Sequence, residues 1–453
     1  MVMQSDAPSK TAKSTKAPDI KTPLPGPRAA EIVARDTMVI SPSYTRSYPF
    51  VMDHGLGSMV WDVDGNRFID FTAGVAVLNA GHCHPDVVQA VKDQADKFLH
   101  MANTDFYQSN AVELAETLGR ITPGDYDKQV FFTNSGTESI EAAMKLCRHY
   151  TGRTVLISFL GAFHGRTYGS MSLSSSKYMH RAHYQPLLAG IYHAPYPNTY
   201  RPPFDGPTEK LGRACVDYIE KTMFRHLVSP HEVAGIFVES IQGEGGYITP
   251  PDDFYPALRD LCDRHDIPLV MDEVQSGMGR TGKMFAIEHW DVTPDVVCIA
   301  KGIASGMPLG AIVAPKSMMT WPSGAHANTF GGNPLAVAAA LTTIRLLEDG
   351  LVDNAREVGD YMKARLQTWT DRYSFVGDVR GKGLMLAVEI VSDRAAKTGD
   401  QDLRDRIVDG SFKHGLLLLG AGPSAIRFCP PLVIDKETVD EGLAVMEKVM
   451  DAL

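Results

Sequence analysis

Short apolar runs alternate with longer amphipathic stretches through most of the chain, the rhythm of strands and helices in a parallel sheet. Residues 129–132, 154–159, 233–238, 268–271, 296–300 and 309–314 are strand-length runs dominated by Val, Ile, Leu, Phe, Met and Ala. Runs that are apolar on both faces predict strands buried on both sides, hence a mostly parallel central sheet flanked by helices. Val87, Val88, Val91 and Ala95 fall at helical spacing and predict a helix over 86–98, and Asn333-Pro334 opens an Ala- and Leu-rich helix to about 348. Earlier, residues 49–71 read as short strands, with Asp64-Gly65-Asn66 as the hairpin turn between 59–61 and 67–71.

After residue 346 the pattern changes. A strand-like stretch over 376–391 is broken at Gly377, Gly381 and Gly383, a short strand follows at 416–419, and 426–434 leads into a last helix. The expected organisation is α/β: a flexible tail over 1–24, a small α+β domain built from both termini (25–85 with 346–453), and a large domain over 86–345. The tail is inferred from its Ser, Lys and Pro content and its lack of apolar periodicity. A transit peptide is the rival reading, opposed by Asp6, Asp19 and the absence of arginine before Arg28.

Composition narrows the class. A hydrophobic content of 44% with 22% charged residues fits a globular enzyme. A net charge of -10 argues against nucleic-acid binding, which needs clustered Lys and Arg. Six cysteines without a CxxC suit a reducing compartment, and the absence of an 18-residue apolar run or a signal-like start predicts no membrane span and a cytoplasmic location. His82 and His84 have no Cys, His or carboxylate cluster beside them, so no metal site is expected.

Two strand ends carry the candidate chemistry. The run over 268–271 stops at Asp272-Glu273, and the run over 296–300 stops at Lys301. Neighbouring parallel strands would place both charges on the carboxyl edge of the sheet, where ligands of open α/β folds bind. A lysine in an apolar wall has a lowered pKa and forms a Schiff base with an aldehyde, and an acid beside a pyridine nitrogen keeps that ring protonated. These are the demands of pyridoxal phosphate. Taken alone, the pair fits a strand-end salt bridge as well.

The surrounding words favour the cofactor. Asp272-Glu273-Val274-Gln275-Ser276-Gly277, Gly279-Arg280-Thr281-Gly282 and Ala300-Lys301-Gly302 resemble the signature of the class III (omega, or subgroup II) aminotransferases, and the resemblance runs from about Val51 onward. It implies the pyridoxal-phosphate fold type I, with Lys301 and Asp272 as catalytic residues. Ser135, Gly136 and Thr137 start a helix after a strand; the residues alone allow a simple N-cap or a phosphate seat, and the resemblance makes them the seat. It also implies cofactor contacts from Phe163 and Val274 on the two faces of the ring, from His164, Glu239 and Gln275, and from Thr329 of a neighbouring subunit. That last contact makes the expected assembly a homodimer or a tetramer of such dimers.

For the substrate, Arg166 and Arg427 are the candidate carboxylate partners, because the planar guanidinium matches the acid. Arg427 stands between apolar neighbours and needs an anion if buried; the plain alternative is an internal salt bridge. Glu244 is read as an acid that pairs with an arginine in one half-reaction and releases it in the other. Val75 stands where ornithine-type relatives tend to have tyrosine. The resemblance therefore points to a 4-aminobutyrate type of enzyme, passing an amino group from an omega-amino acid to 2-oxoglutarate by a ping-pong route. Alternatives on the same framework are an amino acid racemase or lyase and an ornithine or acetylornithine aminotransferase; a noncatalytic cofactor-binding regulator lacks any DNA-binding extension.

Overall fold

The computed structural model describes residues 17–453. Its centre is a seven-stranded sheet in the spatial order Lys128–Thr133, Gly310–Pro315, Val296–Ile299, Leu269–Asp272, Val233–Glu239, Val155–Phe159 and Ile191–Ala194. Six of these strands point the same way, and Gly310–Pro315 alone runs antiparallel to both of its neighbours. The reason is connection length. Only residues 300–309 separate it from Val296–Ile299, and a parallel crossover needs a dozen or more.

Alternation along the buried strands divides the core between two faces. Val296 and Cys298 pack with Val270, Phe237 and the helix Gly136–Thr151. Val297 and Ile299 pack with Met271, Ile236 and Val238 on the other face. All seven residues of Val233–Glu239 are buried, and each large apolar side chain so enclosed contributes about 1.5–3 kcal/mol. This rigid sheet fixes where its strand ends point.

Both termini meet in a second, four-stranded sheet: Met52–Leu56, Met59–Asp62, Arg67–Asp70 and Leu416–Leu417, the last parallel to the third with Leu416 opposite Ile69. A five-stranded sheet contains Val376–Lys382, Met385–Asp393, Ala425–Phe428 and Leu419–Ala421, with Thr398–Gly399 pairing at the side. In it Ala387 lies opposite Arg380 on one side and Arg427 on the other.

Several expectations shift. The helix expected over 86–98 is Pro85–Ala95, and the one expected to reach 348 is Pro334–Leu346, followed by a π-helical turn, Leu347–Leu351. The tail expected over 1–24 lies outside the described residues as far as 16, but residues 17–24 are tied down. Asp19 exchanges backbone hydrogen bonds with Arg67, and Lys21 and Thr22 N–H groups donate to Asn66 Oδ1 at 2.7 and 3.0 Å. Polar composition suggested a tail because it carries no sign of a partner 45 residues away.

Candidate active site

The carboxyl ends of the parallel strands open into a cavity of about 380 Å³. Asp272 ends its strand beside Glu239, its registered neighbour, and Lys301 follows two residues after Ile299. All three line the cavity. Lys301 has φ 46°, a left-handed conformation that turns the chain just past the strand.

Asp272 is held by a network. Its Oδ2 lies 2.8 Å from Nδ1 of His164, and its Oδ1 accepts the Val274 N–H at 3.0 Å. Glu239 joins two loops, accepting the N–H of Phe163 and of Gly243 at 2.8 Å each. Burial pushes the Glu239 carboxyl up to about 7, with the Asp272 charge adding to it and the His164 charge opposing it. For His164, burial alone would lower the pKa, but the hydrogen bond and charge of Asp272 and the charge of Glu239 raise it. Glu273 faces away from this centre and is absorbed by Ser240, Ser276 and the N–H groups of Ala286 and Ile287.

Lys301 retains partial exposure where it meets the cavity, yet burial lowers its pKa against the charges of Asp272, Glu244 and Glu239. An amine of this kind is neutral more often than a surface lysine, which suits carbonyl addition and proton transfer. The N-terminus of Gly136–Thr151 also lines the cavity. Ser135 caps Glu138 N–H at 3.4 Å, so the N-cap reading holds, and Thr137 Oγ1 lies 2.8 Å from Thr167 Oγ1 and 2.6 Å from Ser170 Oγ. The cap leaves first-turn N–H groups and the dipole facing the cavity side, an anion seat. Gly136 is needed there, because a Cβ would come within 2.7 Å of Val274 Cγ1.

Phe163, Val274 and Gln275 also line the cavity. The Arg166 guanidinium sits 5.4 Å from the Phe163 ring centroid, and His180 meets the same ring edge-on at 5.4 Å. Gln275 Oε1 and His164 Nε2 are buried without a hydrogen-bond partner among the described residues. A helix N-terminus, a buried acid and an enclosed amine around one cavity fit the parts of pyridoxal phosphate, and the orphaned Gln275 oxygen suits its ring hydroxyl.

Four expected residues stand outside the lining: Val75, Glu244, Thr329 and Arg427. Arg427, on Ala425–Phe428, donates from Nη1 to Glu244 Oε1 at 2.5 Å. Burial works against its charge, but Glu244 more than compensates and raises its pKa. Glu244 is in turn lowered: burial opposes ionisation, and the charges of Arg427, Lys177 and Lys301 overcome it. Thr329 is exposed. Val75 lies in a left-handed turn, with φ of 48°, 61°, 66° and 59° from residue 73 to 76, and Val77 instead reaches the cavity. Asn134, Ala300 and residues 306–309 complete the wall. None carried a signal of its own, but all adjoin motif residues.

Among the described residues no group of three or more His, Cys, Asp or Glu could hold a metal, and no helix is long and apolar enough to cross a membrane. The chain is 38% identical to an alanine/serine racemase of Pyrococcus horikoshii, over 96% of this chain and 92% of the relative. It is likewise 38% identical to a probable 4-aminobutyrate aminotransferase of Bacillus subtilis, over 87% and 91%. An amine transaminase from an uncultivated Pseudomonas species, crystallised in its pyridoxal-phosphate-bound form, superposes with a TM-score of 0.84 and 31% identity, covering 91% of this chain and 98% of that one. The family profile described as aminotransferase class-III matches residues 40–450, and the chain belongs to that family.

Proposed function

We propose that this enzyme transfers the amino group of an omega-amino acid such as 4-aminobutyrate to 2-oxoglutarate in two alternating half-reactions. Its cofactor is pyridoxal 5'-phosphate, which supplies an aldehyde for amines and a protonated ring that draws electrons from the substrate carbon. Lys301 is the amine that would hold that aldehyde, since it lines the cavity from the end of its strand. Its Nζ, whose pKa burial lowers, is the group placed to take the proton from the amino-bearing carbon; positioned proton transfer of this kind contributes about 10²–10⁴ in rate. Asp272, oriented by His164 and the Val274 N–H, keeps the ring nitrogen protonated. Ser135, Gly136 and Thr137 would hold the phosphate, and Phe163 and Val274, which line the same cavity, would cover the ring.

The observation that carries the substrate reading is the Arg427–Glu244 bond. An omega-amino donor has no carboxylate beside its reacting carbon, so Glu244 neutralises Arg427 while the donor reacts. A 2-oxo diacid brings its own carboxylate, which takes the place of Glu244 on Arg427. Arg166 receives the distal carboxylate in both cases. Purified holoenzyme given 4-aminobutyrate and 2-oxoglutarate should yield glutamate and the corresponding semialdehyde; neither product would sink this substrate pair.

Similarity to the Pyrococcus racemase favours one second reading, an amino acid racemase, which needs Lys301 and Asp272 but no dicarboxylate acceptor. Donor alone separates the two. An aminotransferase is left with aminated cofactor and loses its visible band, whereas a racemase regains it.

We further propose a homodimer in which Thr329 reaches the phosphate of the partner site. Exposed Thr329 and Phe330 adjoin exposed Leu99 and Met101, with His100 and Phe330 rings 5.1 Å apart, an apolar face suited to a second copy. The division into 25–85 with 346–453 and 86–345 belongs to the same reading. So does a cytoplasmic setting, which suits six free thiols.

A further inference from the structure

Residues 142–204 contain no Asp or Glu and seven Lys or Arg, in a chain with 54 acids and a net charge of -10. Part of this acid-free stretch, residues 163–166, lines the active cavity. Arg166 and His180 flank Phe163, and Lys177 Nζ lies 3.7 Å from Glu244 Oε2. Beyond Lys177 a second cavity of about 390 Å³ is lined by Ser175, Lys177, Tyr178, Arg181, His183 and Gln185. No carboxylate lines it. Among the described residues neither Arg181 nor Arg166 forms an ion pair.

We propose that this second cavity is an outer anion site, in which Arg181 and Lys177 collect a dicarboxylic 2-oxo acid and pass it inward to Arg427. The inference rests on the acceptor being a dianion. Lys177 joins the two places, since it lines the outer cavity and faces the carboxylate that Arg427 must release. Uncompensated cations around a concave entrance raise the local concentration of anions, and a dianion gains about twice what a monoanion does. The neighbouring side chains respond to the same field. His193 is held down to about 4 by burial and then by the Arg181 charge, and His180 is lowered by burial and then by Arg166 and Lys177.

Glutarate, a dicarboxylate with no keto group, tests the site on the holoenzyme by calorimetry, with butyrate as the monoanion. Wild-type affinity for glutarate should fall about tenfold between low and physiological salt, and that of butyrate far less. Arg181→Gln should bind glutarate about three- to tenfold more weakly at low salt and lose most of the salt dependence. Butyrate binding and the donor half-reaction should stay unchanged. Arg181→Lys, which keeps the charge, should behave as wild type. Three results overturn the proposal: no glutarate binding by wild type at low salt, an unchanged salt slope in Arg181→Gln, or equal losses for glutarate and butyrate. Because glutarate is not turned over, its salt-linked binding is readable even if 2-oxoglutarate yields no glutamate. That outcome would remove the acceptor reading and leave the anion site standing.

Discussion

His164 Nδ1 lies 2.8 Å from Asp272 Oδ2, and both side chains are buried at the carboxyl edge of the sheet. His164 therefore has a raised pKa, burial being outweighed by the bond and charge of Asp272. A raised folded-state pKa means that the stabilisation is complete below the unfolded value of 6.5 and is lost as pH rises through the folded one. Glu239, pushed up to about 7 from 4.5, has the same sign over a lower window, since the folded state again binds the extra proton. Glu239 is still titrating around pH 7, so the histidine is read from the loss that continues above about pH 8. Thermal unfolding of the apoenzyme should show stability still falling with pH there in wild type and a flatter profile in His164→Gln; parallel profiles would contradict the assignment.

Lys301→Ala removes the enclosed amine without adding bulk. The visible band of lysine-bound cofactor should vanish, and turnover should fall by at least about 10²–10⁴, the range for a positioned proton-transfer group. Spectra of the reconstituted variant check the first point and product assays the second. A persisting band would place the aldehyde on another amine.

Arg427→Ala separates the two half-reactions. It should weaken 2-oxoglutarate by about 2–5 kcal/mol, as expected when one member of a buried charge pair is truncated. The donor half-reaction, in which Arg427 is engaged by Glu244 and not by substrate, should change less. Single-turnover measurements of each half-reaction provide the comparison. Equal losses in both would make the pair a structural bridge between the C-terminal sheet and the Glu244 loop.

The chemistry of this site was legible where it sits at the ends of continuous apolar runs. Asp272 and Lys301 close such runs, and burial on both strand faces leaves only one place for a charge to point. The direction of Gly310–Pro315 was not legible, because an apolar run is the same read either way and the short connection decides. Val77 rather than Val75 reaches the cavity because residues 73–76 turn left-handed, although Gly74 is the only glycine among them. The Asp70 carboxylate supports that turn, accepting from Thr72 N–H, Thr72 Oγ1 and Ala73 N–H at 2.7, 2.7 and 3.1 Å. Such long-range or local carboxylate bonds leave no periodicity in a sequence. Lys177 was missed for a similar reason: its partner, Glu244, is brought near by the sheet.

Gly136→Ala tests the phosphate seat through packing alone. The backbone at Gly136 is helical, and alanine is the better helix former by about 1 kcal/mol, so the helix itself should gain. The added methyl, however, would sit 2.7 and 3.1 Å from the two γ-carbons of Val274, closer than van der Waals contact permits. Val274 must then move, and it lines the same cavity as Phe163 and Lys301. Overpacking of this size costs about 1–3 kcal/mol, which should appear as roughly tenfold weaker cofactor retention with little change in apoenzyme stability. Adding Val274→Ala removes both γ-carbons and should restore retention in part. If Gly136→Ala holds cofactor as tightly as wild type, the contact between the helix start and the Val274 wall is not what shapes the seat.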